Sequence, residues 1–345
     1  MKIHRSHFQR NLILVCLSAV LLFSCEKEYT PANVTGTALN AAPSSSAFVT
    51  DNLITMETSI LPPVTPQSFV ANGQSSLALF QITASQAATI NQGYFSGTYP
   101  AIQYITSPDI GVAVSHNGQM GLVGLGIFPA GTGVNLPVEV YYAPVDSSTS
   151  GSTAQLSFTG VTYKTNDGID HDFVPKTALR AQTMCLVNNI PHVLLSNPTS
   201  TSVINGDYHQ VAKIELTGDT NWVLNSLPLM LSAPTLANIP QSQLIIKSQG
   251  TTVKTSSLAI QLGVNSKAQT IIDFTGGFKH TAGQKEILTV YAKTPTIGSG
   301  NNPITTTMYP LSSFVWTDGL GVKIPGSKND RFYKEQTGQS TFMQP

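Results

Sequence analysis

The sequence predicts an all-β protein, two tandem β-sandwich domains that follow a signal peptide and a flexible tether. Three observations carry that expectation. Apolar residues alternate with a period of two instead of the ~3.6 of a helix. Three segments of the first half recur in the same order in the second, and a basic, then apolar, then Ser-Cys leader opens the chain.

The leader comes first. Lys2, Arg5 and Arg10, with His4 and His7, make a basic flank without an acidic residue, and Leu12 to Phe23 is a near-continuous apolar run. The run is shorter than the ~20 residues that a bilayer-spanning helix needs. It ends in small Ser24 before Cys25, as secretory signals end at small-residue cleavage sites, so residues 1–24 are expected to leave. The tetrad Leu22-Phe23-Ser24-Cys25 resembles the bacterial lipobox, with Phe23 bulkier than the residue usual there. The resemblance implies that Cys25 is acylated on its sulfur and on its new amine, which makes the membrane a partner through covalent lipid. Each buried methylene of those chains contributes ~0.8 kcal/mol. Glu26 and Glu28 resemble the acidic signature of Bacteroidetes-type surface lipoproteins, which implies an outer-membrane or cell-surface location.

Composition excludes several functions. The leader holds three of the 18 Lys and Arg and none of the 18 Asp and Glu, so the mature chain is 15 minus 18, a formal charge of −3. Without a basic stripe to replace counterions along a phosphate backbone, nucleic acid is not an expected partner. Once the leader and Cys25 are set aside, Cys185 is the remaining cysteine, so no intramolecular disulfide is expected. Its setting, Met184-Cys185-Leu186-Val187, reads as core, because free cysteine behaves as a small buried hydrophobe.

Residues 25–46 read as the lipidated N-terminus and tether. The stretch TPANVTGTALNAAPSSS has too few large apolar side chains to offset the entropy of ordering. Domain 1 is expected over 47–180 and domain 2 over 181–345. VANGQSSLALFQITA (70–84) aligns with VINGDYHQVAKIELTG (203–218) with one residue inserted, pairing Leu77 with Val211, Ala78 with Ala212, Phe80 with Ile214 and Ile82 with Leu216. GIFPAGTGVNLPVEVYYAPV (126–145) aligns with GGFKHTAGQKEILTVYAKTP (276–295), and LSFTGVTYKTNDG with SSFVWTDG. Ordered repeats of this kind fix an architecture before any single element does.

Within each copy the strands read from alternation, as in VAKIELTG and ILTVYAK. Asn117-Gly118, between two apolar arms, predicts a hairpin, since both residues tolerate the positive φ of a type I′ turn. No stretch of the mature chain offers an amphipathic helix of ordinary length free of Pro and Gly. Strands at close intervals with turn signals between them imply sandwiches.

The strand succession, with a PAG or TAG turn (Pro129-Ala130-Gly131, Thr281-Ala282-Gly283) before an LTVYAK-like strand, resembles the Ig-like repeats of large secreted bacterial surface proteins over most of residues 67–318. The resemblance implies stalks, spacers or adhesive modules, and a fold by itself assigns no activity. Type V pilins of Bacteroidetes are likewise lipoprotein precursors of two β-sandwiches. No motif singles them out here, and Arg180 lies near the expected domain junction, away from an N-terminal processing position.

The chemistry is sparse. Five histidines remain after the leader, at 116, 171, 192, 209 and 280, without a zinc-ligand spacing. No Gly-x-Ser-x-Gly elbow exists, and no catalytic residue and no cofactor are expected. In NDGIDHDF (166–173), Asp167, Asp170 and Asp172 with Asn166 supply oxygens of the kind calcium takes. The favoured reading is instead a turn at Asp167-Gly168 and a polar loop. Trp222, Trp316, Tyr141 and Tyr142 would suit a sugar-stacking platform, but aromatics of this size usually dominate cores. The expected function is thus a non-enzymatic, lipid-anchored spacer, adhesive or assembly module with a surface protein or glycan as partner. The alternative is a glycan- or polymer-binding lipoprotein of an outer-membrane uptake system.

Overall fold

A computed structural model describes residues 46–50, 54–108, 110–114, 118–165, 168–198, 203–204, 208–232, 243–257, 259–261, 267–293, 303–333 and 339–343. The signal, Cys25, nearly all of the tether, His116, Asn117, Asn166, Asp167 and Asn205-Gly206 lie outside the described residues.

The chain folds as two β-sandwiches. In the first, one sheet has the order β1 (Ser46–Thr50), β2 (Ile54–Ile60), β4 (Ser75–Ala84), β9 (Gly133–Tyr142), β6 (Ile102–Ser107), β7 (Ile110–Val114). It faces β12 (Asp170–Phe173), β11 (Leu156–Lys164), β5 (Ala88–Gly97) and β8 (Gln119–Phe128), with β13 (Leu179–Arg180) on β11. The second sandwich has a sheet of order β15 (His192–Ser196), β17 (Tyr208–Thr217), β23 (Glu286–Lys293), β19 (Gln243–Ser248), β20 (Thr251–Ser257), with β16 (Val203–Ile204) on β17. Opposite lie β21 (Ala259–Gln261), β22 (Lys267–His280), β18 (Trp222–Ser232), β24 (Pro303–Thr307) and β27 (Gln339–Met343), with β25 (Val315–Thr317) and β26 (Lys323–Ile324) beyond the end of β24. A small sheet, β10 (Thr153–Ala154), β14 (Met184–Val187) and β3 (Phe69–Ala71), sits between the sandwiches. One short helix, α1 (Gly326–Phe332), packs near β14.

Alternation explains the sandwiches. Along β4 the burial runs exposed at Ser75, then buried and half-buried by turns to Ala84, so Ala78, Phe80 and Ile82 line one face. Phe80 meets Phe95 and Phe158 of the opposite sheet at ring-centroid distances of 5.6 and 5.7 Å. Aromatic pairs in such contact contribute about 0.5 to about 1.5 kcal/mol each beyond area burial. The second core is the same construction from Ile214, Leu216, Leu224, Leu229 and their neighbours.

The two sandwiches are wired alike. In both, the first long strand crosses to the opposite sheet (β4 to β5, β17 to β18), and the chain crosses back for a hairpin (β6 and β7, β19 and β20). It then crosses twice more through β8 and β9 or β22 and β23. The β5 ladder breaks register at Asn91 and the β18 ladder at Asn225. The next turn closes the same way, Gly131 N–H on the Ala84 carbonyl at 2.7 Å and Gly283 N–H on the Gly218 carbonyl at 3.0 Å. Both glycines have positive φ, 66° and 70°. Glycine enters that region without a Cβ penalty.

Three expectations need correction. Val211 is not the counterpart of Leu77: the β17 ladder passes from Gln210 to Ala212, so Val211 is the inserted residue, taken up as a β-bulge and fully buried while Leu77 is half-buried. The alignment of 126–145 with 276–295 slips by two residues. The bulge facing Asn91 holds Gly124 and Leu125, whereas that facing Asn225 holds four residues, Phe274 to Gly277, so beyond it the PAG and TAG turns superpose. Finally, Asn117-Gly118 does not connect a hairpin. β7 bonds to β6 and β8 bonds to β5, and the connection carries the chain from one sheet to the other.

Candidate functional site at the junction of the sandwiches

The junction begins with β14. Successive side chains on a strand point to opposite faces, and here each face belongs to a different core. Met184 and Leu186 join the first, Cys185 and Val187 the second. β3, parallel to it, does the same, with Val70 in the first core and Phe69 in the second, against Trp316 and Phe332 at 6.0 and 5.9 Å. The expected boundary after Arg180 therefore falls just ahead of a strand that serves both cores, and Phe69 packs into the core of the opposite half. The run Met-Cys-Leu-Val, apolar at four consecutive positions, is the sequence mark of a strand covered on both faces.

Polar bonds close the junction. The Ser150 hydroxyl donates to the Asp318 carboxylate, which also accepts the Leu320 and Val322 N–H groups at 3.0 and 2.9 Å. Gly319 N–H donates to Asn189 Oδ1 at 3.0 Å, the Tyr333 hydroxyl to the Pro191 carbonyl at 2.8 Å, and Arg331 Nε to Gln67 Oε1 at 3.3 Å. The loop that carries Ser150 is fixed by Asp146, whose Oδ1 accepts from the backbone and hydroxyls of Ser148 and Thr149. Those bonds hold its carboxyl down to about 2. Cys185 is fully buried in this setting. Burial pushes its thiol up to about 11 against the opposing pull of Lys328 and Arg331, which leaves it a packing residue with negligible thiolate.

Beside β3 and β14 an open groove of about 480 Å³ runs across both halves. Most of its lining comes from four stretches of chain, Ser68 to Asn72 with Gln74 and Ser75, Asn188 to Ile190 with His192, Asp219 with Thr220, and Phe332 with Tyr333. Asn189 is 6% exposed, and its Nδ2 has no partner; the buried Thr220 Oγ1 has none either. Across the Gly319 loop is a second depression of about 350 Å³, lined among others by Trp222 and His280.

The residues singled out from sequence fall elsewhere. Asp170 and Asp172 lie on β12, on the outer face of the first sandwich. Asp170 accepts from Asn91 Nδ2 at 2.7 Å and sits 3.7 Å from the Lys164 ammonium, and Asp172 accepts from the Thr162 hydroxyl at 2.8 Å. Among the described residues no group of three or more His, Cys, Asp or Glu side chains could hold a metal ion. Trp222 and Trp316 are core residues, 1% and 0% exposed. Tyr141 stacks on Tyr104 at 4.4 Å, while the Tyr142 hydroxyl, 2.5 Å from that of Ser76, is half-buried on the other face. His280 is buried with Nδ1 2.8 Å from Glu286 and Nε2 3.3 Å from the Gly218 carbonyl, so both ring nitrogens face protein acceptors. The groove was missed from sequence because Asn72, Gln74, Asn189 and Thr220 come from separate segments; the Asn188-Asn189 pair directly after the doubly buried strand was the available signal.

No protein-family profile matches the chain, and no curated protein matches it in sequence. Among solved structures, similarity is found to the type II cohesin dyad of the ScaA scaffoldin of Acetivibrio cellulolyticus, at 10% identity and TM-score 0.22 over 79% of this chain and 96% of that one. The secreted serine protease VesC of Vibrio cholerae matches at 11% identity and TM-score 0.23, over 69% of this chain and 51% of that one. The major pilin subunit BcpA of Bacillus cereus matches at 10% identity and TM-score 0.19, over 74% of this chain and 64% of that one. Similarity at this level carries no argument about function.

Proposed function

We propose that the chain is a non-enzymatic, lipid-anchored module of the cell envelope or surface, a tandem duplication whose two sandwiches act as one stiff spacer, adhesive or assembly unit. The observation that carries this reading is β14, a strand whose two faces complete two different cores. Two domains joined by a linker move independently by default unless the interface between them is large and apolar. Here bending β14 away from the second sandwich would expose Phe69, Cys185 and Val187 together, at about 1.5–3 kcal/mol for each large side chain. Such a unit transmits position and load from an anchor to whatever its far end meets.

The anchoring half of the proposal rests on Cys25. Cys25→Ala should abolish incorporation of a fatty-acid analogue in growing cells and release the protein from the membrane fraction. A wild-type protein that takes up no label would remove the lipid from the proposal and leave the stiff module.

A further inference from the structure

We infer that the junction groove is a binding site for a neutral, polyhydroxylated ligand, a segment of glycan. The inference deepens the adhesive side of the proposed module and rests on its junction, and it does not depend on the lipid.

The groove has the size of an ordinary ligand site, which runs from roughly 300 to 1,000 Å³, and its volume is about 480 Å³. Its polar lining is mostly uncharged: the side-chain amides of Asn72, Gln74, Asn188 and Asn189 and the hydroxyls of Ser75 and Thr220. Asp219 supplies one carboxylate, and no Lys or Arg lines it, so a phosphorylated or sulfated ligand would find no cation there but His192. Ile190, half-buried, adds apolar surface of the sort that the C–H face of a sugar ring covers.

Two buried groups make this more than a polar crevice. Asn189 is held in one orientation, because its Oδ1 accepts the Gly319 N–H at 3.0 Å, which commits Nδ2 to donate. That Nδ2 has no acceptor, and the hydroxyl of Thr220, another lining residue, has no partner. Folded proteins leave few buried polar atoms unpaired, and a water or ion is one of the things that completes such a bond. A hydroxyl both donates and accepts. A ligand carrying several therefore serves the exposed Gln74 amide and Asp219 carboxylate directly, and the covered Asn189 amide and Thr220 hydroxyl through an ordered water.

The test uses the mature chain on an array of neutral gluco-, manno-, galacto-, xylo- and N-acetylglucosamine oligosaccharides, with sulfated glycans and extended peptides as competing classes. Affinity for the best neutral probe is then measured by calorimetric titration. Gln74→Ala and Asp219→Ala alter exposed side chains and leave folding intact; each should weaken binding at least tenfold with an unchanged melting temperature. Asn189→Ala should weaken it further. The inference fails if no neutral oligosaccharide binds at millimolar concentration, if binding survives Gln74→Ala and Asp219→Ala, or if the sulfated or peptide probes bind better. A failure of that kind in a protein that still unfolds in one step counts against the groove alone, whereas two separate unfolding steps count against the stiff module.

Discussion

The first and second sandwiches share their wiring, their asparagine bulge and their glycine turn, yet they finish the sheet that carries the bulge differently. In the first, β11 is continuous from Leu156 to Lys164, and Tyr163, opposite Ile90, is fully buried. In the second, the corresponding strand is broken into β24 and β25, and Trp316, opposite Leu224, takes the place of Tyr163. The chain between the two pieces leaves the sheet through Phe314, and α1 follows soon after. α1 delivers Asn329, whose Oδ1 accepts the Trp316 indole N–H at 2.9 Å while its Nδ2 donates to the Phe314 and Pro325 carbonyls at 2.8 and 3.2 Å. A larger aromatic at one core position thus comes with a detour and a helix that satisfy its polar edge, since an unpaired buried N–H costs about 1–3 kcal/mol. The helix, with Tyr333 directly after it, supplies Phe332 and Tyr333 to the junction, so the divergence of the second copy is also what couples it to the first.

The largest test of that coupling is Phe69→Ala. Phe69 belongs to the first half by sequence and to the second core by packing, so truncation should cost about 3–5 kcal/mol in denaturant unfolding. The loss should appear at probes in the second sandwich, such as the fluorescence of Trp222 and Trp316. A loss confined to the first sandwich would break the shared-strand account.

Ser150→Ala is the next step down. It removes the hydroxyl that reaches the buried Asp318 from the other half. A hydrogen bond to a charged group is worth about 1.5–3 kcal/mol. Native-state hydrogen exchange should show faster opening at Leu186 and Gly151, whose backbones are bonded to each other at the junction, before any change within β5 or β18. Equal acceleration throughout would show that the sandwiches are coupled by something else.

The bulge asparagines sharpen the equivalence at smaller scale. Asn225 accepts the Thr317 hydroxyl at 2.7 Å in a part-buried site. Asn225→Ala should cost about 1 kcal/mol. Asn91 donates to the exposed Asp170, so Asn91→Ala should cost less in the same melt. The reverse order would separate two positions that the ladders make equivalent.

Calcium comes last. Asp170 and Asp172 already accept from Asn91 and Thr162, and millimolar calcium is expected to leave the melting temperature unchanged. A ligand that binds the native state alone must raise it, so a clear rise lost in Asp170→Ala would make this face of the first sandwich a metal site, without a counterpart in the second.

Much of the fold was legible because strand patterning is local. The alternation in β4, β17 and β23 is written in neighbouring residues, and the recurrence of Pro129-Ala130-Gly131 as Thr281-Ala282-Gly283 marks two turns that close alike. Asn117-Gly118 misled for a related reason: a glycine with positive φ, as Gly118 has at 81°, suits a tight hairpin, but the dipeptide does not reveal which partner each arm finds. Val211 misled because a bulge absorbs an inserted residue without breaking the pattern on either side.

By itself the sequence determined that this chain is made of strands and that segments of its halves recur in order, since each of these is set by short-range periodicity or by direct comparison of segments. The tertiary structure alone decided which sheet each strand joined, that one strand, β14, serves two cores, and that amides from distant segments line one groove, with Asn189 Nδ2 and Thr220 Oγ1 unpaired among its lining residues. Those outcomes depend on contacts between residues more than a hundred positions apart, such as Ser150 with Asp318 and Phe69 with Trp316. No local pattern encodes them, because the energy that selects them is shared among all the surfaces buried at once.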